Sequence, residues 1–299
     1  MLSTHWRLIA QEKIHPDGPT FSRIIAGVWR WHTVSSSAVE QLINTAIDNS
    51  ITTFDHADIY GDHGNEEIFG KFLKKDPALR SKMQLITKCG IKFPSSRRPE
   101  TWVKHYDTSK DHIIWSVENS LKMLGTDHLD LLLIHRPDPL FNPIEAAEAF
   151  DELKKAGKVL HIGVSNFSPS QFRMLQHYLP YPIVTNQIEI SLSKIDSLFN
   201  GDLDTLMEFN ASPMAWSPLG GGKTLDISER EVFNKAAKYN ASYSQLSLSW
   251  LMKHPSNIFP IIGTTQSDRI KEAAQSVDIT LDRQDWFEML KWVMKKEVP

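Results

Sequence analysis

The sequence predicts an α/β fold, a single (β/α)8 TIM barrel over residues 1–299 with an N-terminal hairpin, long βα loops and an extra C-terminal helix. Three observations predict it. Eight short β-rich runs recur along the chain, at Ser22–Trp31, Thr52–Ala57, Met83–Cys89, Leu129–His135, Leu160–Ser165, Ile183–Ile190, Pro213–Pro218 and Ile258–Gly263. Most are separated by segments of helical periodicity, and strands alternating with helices build a parallel sheet. The 299 residues suit one closed barrel, and no second unit is evident. The competing arrangement, an open doubly wound sheet, is weakened because no strand is followed by G-x-G-x-x-G; the Gly-rich "LGGGK" at Leu219–Lys223 fits neither that fingerprint nor a P-loop.

The helices are read from spacing. "SAVEQLINTAIDN" puts Val39, Leu42, Ile43, Ala46 and Ile47 on one face, and "DHIIWSVENSLKML" does the same with Ile114, Val117, Leu121 and Leu124. "NPIEAAEAFDELKKAG" opens on Asn-Pro and closes at Gly157, a start and a stop signal. Residues 4–21 are expected to form the hairpin. "DRQDWFEMLKWVMKK" is expected to be the added helix, with Trp286, Leu290 and Val293 on one face. Residues 91–108 and 220–228 are long loops, and in a compact domain such loops are usually lids or binding loops.

Composition excludes several classes. Thirty-three basic against 36 acidic residues leave a net charge of −3, so no strong field points to nucleic acid or an anionic membrane. The longest apolar runs are too short to span a bilayer, and no basic stretch leads into an apolar signal core. The single Cys89 excludes an intramolecular disulfide and a Cys-rich zinc site. A cytoplasmic monomer with no metal is expected, taking a small molecule as its partner.

In a parallel barrel, chemistry sits at the C-terminal ends of the strands. Those ends offer Asp55 and Tyr60, Lys88, His135, Ser165-Asn166, Asn186-Gln187 and Trp216-Ser217. Each alone has a bland reading: a solvated lysine, a core histidine, an Asp turn. Their convergence on neighbouring strand ends is what points to a site. A phenol, with its ordinary pKa of about 10, is a proton donor at neutral pH. An ammonium ~4 Å away, at an effective dielectric of ~20, attracts a phenolate by about 4 kcal/mol. That is at most roughly three pKa units, enough to draw Tyr60 toward neutrality. Asp55 would keep Lys88 charged, and His135 could donate to an oxygen gaining negative charge. The set would polarise and protonate a carbonyl oxygen. Schiff-base chemistry on Lys88 leaves Tyr60 without a task. A metal site lacks ligands, because His56 should point to the face opposite Asp55.

The same residues carry a resemblance over nearly the whole chain. "FDHADIYG", "ITKCG", "LLLIHRPD", "GKVLHIGVSNF", "TNQIE", "AWSPLGGG" and "PIIGTT" stand in the order and spacing of the aldo-keto reductases, and "HRPDPLF" resembles a loop-rich bacterial branch. One such motif is weak; the ordered set is highly specific. The resemblance implies NADPH-dependent reduction of aldehydes and ketones, with Tyr60 as general acid/base, Lys88 and Asp55 tuning it, and His135 orienting the substrate carbonyl. It implies that Ser165, Asn166 and Gln187 hold the nicotinamide carboxamide and that Trp216 stacks on the ring, where the family often has tyrosine. Gly27, Ser217, Leu219, Gly220, Gly263, Thr264 and Thr265 would line the rest of the cofactor's path. Arg269 would grip the 2′-phosphate, although Gly263-Thr264 stand where Lys-Ser is frequent and Ala273 where an adenine-contacting Asn is common. Trp29 and Trp31 are expected to wall the substrate pocket, with Val28 in place of a frequent Thr. The alternative that the fold allows is a non-catalytic nicotinamide-nucleotide sensor.

Overall fold

The structure is a computed structural model that describes residues 11–222 and 229–297. Eight parallel strands close into a barrel: β3 (Ile25–Gly27), β4 (Thr53–Asp55), β5 (Gln84–Cys89), β8 (Leu129–Ile134), β9 (Val159–Ser165), β10 (Ile183–Glu189), β11 (Met214–Trp216) and β12 (Phe259–Ile262), the last pairing back onto β3. They are the eight runs expected from sequence. An antiparallel hairpin, β1 (Gln11–Lys13) and β2 (Thr20–Ser22), precedes them, while residues 4–10 of the expected hairpin lie outside the described residues. A second ribbon, β6 (Ile91–Lys92) and β7 (His105–Tyr106), braces the long loop after β5.

Side-chain alternation sets the layers and, with them, the site. Along β5, Leu85 and Cys89 join the core between barrel and helices while Ile86 joins the core inside the barrel; along β8, Leu132 and Ile134 face out and Leu131 and Leu133 in. Carrying the two-residue period onward brings Lys88 and His135 to the inner face at the C-terminal rim. Phe54 faces the helices, so its neighbour Asp55 faces the lumen. The opposite end is filled by Ile14 and Phe21 from the hairpin, both fully buried against Ile25, Met214 and Phe259. The barrel is thus plugged below and polar above.

Helices return the chain between strands, and local signals place them. Ser35 caps α1 (Ser36–Asp48) and Ser109 caps α3 (Lys110–Leu124), each accepting a backbone N–H. α2 (Asn65–Lys75) follows a short turn. Asn142 caps α4 (Pro143–Lys155) with Pro143 in its first turn; Ser168 and Gln171 form a capping box at α5 (Pro169–His177). α6 (Asp202–Glu208), α7 (Glu229–Tyr239), α8 (Tyr243–Met252), α9 (Ser267–Ala274) and α10 (Arg283–Met294) complete the shell.

Two faces differ from expectation by one position. On α3 the buried residue is Ile113, with Ile114 only half-buried, because the stripe runs Ile113, Val117, Leu121, Leu124. On α10 the buried apolar residues are Met289, Leu290 and Trp292, with Trp286 and Val293 half-buried at the edge. Trp286 still anchors the helix, its ring stacked on Trp250 at 4.9 Å with reciprocal indole-to-carbonyl hydrogen bonds.

Candidate active site

The chain leaves β4 at Asp55 and turns sharply through Tyr60–His63. Gly61, Asp62 and His63 all have positive φ, at 59°, 54° and 62°. For the two non-glycine residues that conformation costs on the order of 1–2 kcal/mol each, so the surroundings must hold the turn. Asn65, the first residue of α2, does this: its Nδ2 donates to the carbonyls of Val28 (2.8 Å) and Trp29 (3.1 Å). A β-carbon at Gly61 would run into Asn65 Oδ1. The turn thereby delivers Tyr60 to the barrel mouth and ties it to the β3–α1 loop.

Four expected residues meet there. Lys88 is fully buried, and its Nζ donates to Asp55 Oδ2 (2.7 Å), the His56 carbonyl (2.8 Å) and Tyr60 Oη (3.0 Å). All three ammonium hydrogens are therefore used. The His135 ring stands edge-on to Tyr60, with centroids 5.9 Å apart. His56 points away from the lumen, as expected, with its ring edge-on to Phe69 at 4.6 Å.

The charges act as a unit. Burial alone would lower the Lys88 pKa, but Asp55 and Tyr60 outweigh it and raise it. Lys88 is therefore charged and has no lone pair to attack a carbonyl, unlike a Schiff-base lysine, whose pKa must fall. Tyr60 corrects one expectation. Lys88 does lower its pKa, but burial acts more strongly and Asp55 and Asp58 add to it, so the phenol moves up from 10 rather than toward neutrality. The expectation weighed one attractive pair and left out desolvation and the two carboxylates. Tyr60 is held as the acid. His135 lies well below the ordinary histidine value through burial and the cations Lys88, Arg136 and Lys104, so it is neutral. Its Nδ1 is buried without a partner, which leaves Nε2 as the nitrogen available to the cavity.

The mouth opens into a cavity of about 1190 Å³. This exceeds the ~300–1,000 Å³ usual for one small molecule, leaving room for two ligands side by side. Asp55, Tyr60, His135, Ser165, Asn166 and Gln187 line it together, and so do Gly27, Trp29, Trp216, Ser217 and Leu219. Gly263, Thr264 and Arg269 line its far end. Gly220 and Thr265 are not among the wall residues; Gly220 packs beside Ser193, with φ +64°. Trp31 is not a wall residue either: it is 3% exposed between Phe54 and Phe69, and its indole N–H donates to the Thr264 carbonyl. An aromatic two residues past a wall tryptophan alternates into the core once the chain enters a 3₁₀ turn at Trp31–Thr33.

The amides form a chain across three strands. Trp216 Nε1 donates to Asn166 Oδ1 (3.0 Å), Asn166 Nδ2 to Ser165 Oγ (2.8 Å), and Ser165 Oγ to the Gln187 carbonyl (2.9 Å). Gln187 Nε2 donates to Asp55 Oδ1 (2.9 Å). Asn166 Nδ2 also donates to the His135 carbonyl (3.4 Å), so it is Gln187 that keeps an N–H and its oxygen for a ligand. Gly221 and Gly222, at φ +66° and +84°, would meet nothing within 4 Å if they carried a β-carbon, so the loop offers open backbone. Arg269 makes no hydrogen bond or ion pair with the described residues. The donor set fits a dinucleotide: amides at the reacting end, open backbone midway, and a free guanidinium beyond. Sequence reasoning missed Arg30 and Arg136 on the wall and the contribution of α7, from Val232, Phe233 and Ala236. Arg136 was within reach, since it directly follows His135 at a strand end.

No helix among the described residues is long and apolar enough to cross a membrane, and no cluster of three potential metal ligands occurs among them. Comparison with known proteins shows the family of the chain. The model of the Aldo/keto reductase family matches residues 23–292. A 6-dehydroglucose reductase of Agrobacterium fabrum is 45% identical, covering 93% of this chain and 96% of its own. The oxidoreductase YdhF of Escherichia coli is 42% identical, covering 98% and 100%. The crystal structure of an aldo/keto reductase from Klebsiella pneumoniae in complex with NADP and acetate superposes with a TM-score of 0.77 over 93% of this chain and 94% of that one, at 24% identity. The chain belongs to the aldo/keto reductase family, enzymes that reduce carbonyls by hydride transfer from a nicotinamide cofactor.

Proposed function

We propose that this protein is an NADPH-dependent reductase of aldehydes and ketones in which Tyr60 donates the proton. The observation that carries the reading is the single buried network in which Lys88 bonds both Asp55 and Tyr60 while Gln187 bonds the other oxygen of Asp55. The cofactor supplies the hydride. Ser165, Asn166 and Gln187 would hold its carboxamide, Trp216 would lie against its ring, and Arg269 would take the 2′-phosphate that distinguishes NADPH from NADH.

The chain's own residues handle the proton. A carbonyl oxygen placed between Tyr60 Oη and His135 Nε2 receives a hydrogen bond from each. As negative charge grows on that oxygen, Tyr60 releases its proton to it, and Lys88, 3.0 Å away, stabilises the phenolate left behind. Asp55 keeps Lys88 charged through the step. Burial makes each interaction stronger than it would be in water.

Two relatives of this chain are named for reduction of a sugar-derived carbonyl, 6-dehydroglucose, one of them at 45% identity. Here we extend that only to a hydrophilic carbonyl substrate. The test is NADPH oxidation over a panel of apolar, hydroxylated and anionic carbonyls, with cofactor binding measured in parallel. Turnover on at least one carbonyl supports the reading. Tight NADPH binding without turnover on any would support a nucleotide sensor instead. A borohydride-stable adduct on Lys88 would replace the reductase with a lyase.

A further inference from the structure

Two cations on the cavity wall have no task in the reaction as described. Arg136 follows His135 directly beyond β8, and Arg30 follows Trp29 in the loop that Asn65 ties to the Tyr60 turn. Neither side chain makes a hydrogen bond or an ion pair with the described residues. Each guanidinium instead lies over an indole of the same wall: Arg30 is 4.4 Å from the ring centre of Trp29, and Arg136 is 5.6 Å from that of Trp216.

The usual fate of an arginine in a folded protein is a carboxylate, and here the nearby carboxylates are committed. Asp55 is taken by Lys88 and Gln187. Glu272, the other carboxylate of the wall, sits on α9 at the Arg269 end of the cavity. The reacting end is thus positive. Asp55 balances Lys88, so the charge left acting on His135 is that of Arg136 and Lys104, neither of which is ion-paired with a described residue. A guanidinium laid on an aromatic face leaves its five coplanar N–H donors uncommitted, and that planar fork is the geometry that takes a carboxylate or phosphate bidentately. Low-dielectric walls focus such a field on whatever enters.

We propose that the substrate is a carbonyl compound bearing an anionic group, a carboxylate or a phosphate, which Arg136 and Arg30 bind while the carbonyl sits between Tyr60 and His135. This rests on the reductase reading above and adds the chemistry of the part of the substrate that does not react. It also replaces the apolar or aromatic carbonyl that tryptophans alone would suggest. The aromatic rings here carry the guanidiniums and are not a bare apolar wall.

The test uses matched pairs that differ only in charge: 4-carboxybenzaldehyde with its methyl ester, and glyceraldehyde 3-phosphate with glyceraldehyde. The ester is intrinsically the more electrophilic aldehyde, so a preference for the acid runs against reactivity. The expected result is a kcat/KM at least about tenfold higher for the anionic member of one pair, the scale of one charge-assisted hydrogen bond. Which pair shows it separates carboxylate from phosphate. The ratio should shrink with added salt and collapse toward unity in the R30Q/R136Q double variant. Arg136→Lys, which keeps the charge, should retain part of it. Because the readout is a ratio within one protein, a general loss of activity or fold does not imitate it.

Flat ratios for both pairs in the wild type, with the neutral aldehydes turned over, would overturn this inference and leave the reductase reading intact. A ratio that survives in the double variant would also overturn it, as would a double variant that loses NADPH affinity while its ratio is unchanged. No turnover of any of the four compounds would count against both.

Discussion

Gln187 and Asp55, 132 positions apart in sequence, are joined across the barrel mouth: Gln187 Nε2 donates to Asp55 Oδ1 at 2.9 Å, both side chains buried. This one bond fuses two groups of residues that serve different partners. On one side are Ser165, Asn166 and Trp216, which in the proposed function would face the nicotinamide; on the other are Asp55, Lys88 and Tyr60, which would handle the proton. A displacement on either side is therefore felt on the other.

The buried ion pair in that network is expected to dominate local stability. Lys88 is 0% and Asp55 4% exposed at their side chains. Replacing Lys88 by Met leaves a buried carboxylate with only Gln187 as donor. Urea unfolding should show a loss of about 3–5 kcal/mol. Adding Asp55→Asn should recover part of it, since the second change removes the stranded charge. A Lys88→Met protein as stable as wild type would mean that the pair is not held as described.

The pH profile of carbonyl reduction should be set by Tyr60 alone. His135 is neutral far below the working range and Tyr60 is raised above 10, so kcat/KM should be flat from about pH 6 to 9. It should fall only on the alkaline side, as the phenol loses the proton it must donate. An acid limb near pH 6.5 that disappears in His135→Asn would show that the imidazole titrates during turnover, against this account.

Asp58 gives a stability prediction with a definite sign. Burial and the nearby Glu66 push its carboxyl up to about 8, while Ser116, donating at 2.8 Å, pulls it down by less. The folded protein holds a proton there that the unfolded chain releases near pH 4. The stability this proton brings is complete below about pH 4 and is lost progressively as pH rises to about 8. Asp58→Asn, which mimics the protonated form, should therefore raise Tm at pH 8 by more than at pH 4, with a gain at pH 8 of at least ~1 kcal/mol, one pKa unit's worth. Equal effects at both pH values would contradict it.

Cofactor choice should rest on Arg269. Its replacement by alanine should weaken NADPH at least about tenfold and leave NADH nearly unchanged, because only NADPH carries the 2′-phosphate. Fluorescence titration of both nucleotides decides it; equal losses would assign Arg269 to something else.

Much of this was legible in the chain. The run "LLLIH", Leu131 to His135, shows why: its inner and outer positions are all apolar until His135, so its place in a barrel is clear, and the polar residue that ends it marks the rim. Asp55, Lys88 and His135 follow from the same rule. What stayed hidden depends on packing between distant segments. Trp31 reads as a pocket aromatic until Phe54 and Phe69 close around it. The upward drift of the Tyr60 pKa depends on burial and on Asp58, which no pairwise spacing reveals. Asn65 could not be connected with Val28 and Trp29 before the turn between them was seen.

The central claim is that Tyr60 donates the proton from a network that stays assembled without it. The direct test compares wild type with Tyr60→Phe, measuring NADPH oxidation on the best carbonyl and NADPH binding on the same samples. The account predicts a fall in kcat of about 10²–10⁴ with NADPH affinity retained, since the ring stays and only the hydroxyl is lost. A Tyr60→Phe protein that reduces the carbonyl as fast as wild type would contradict it.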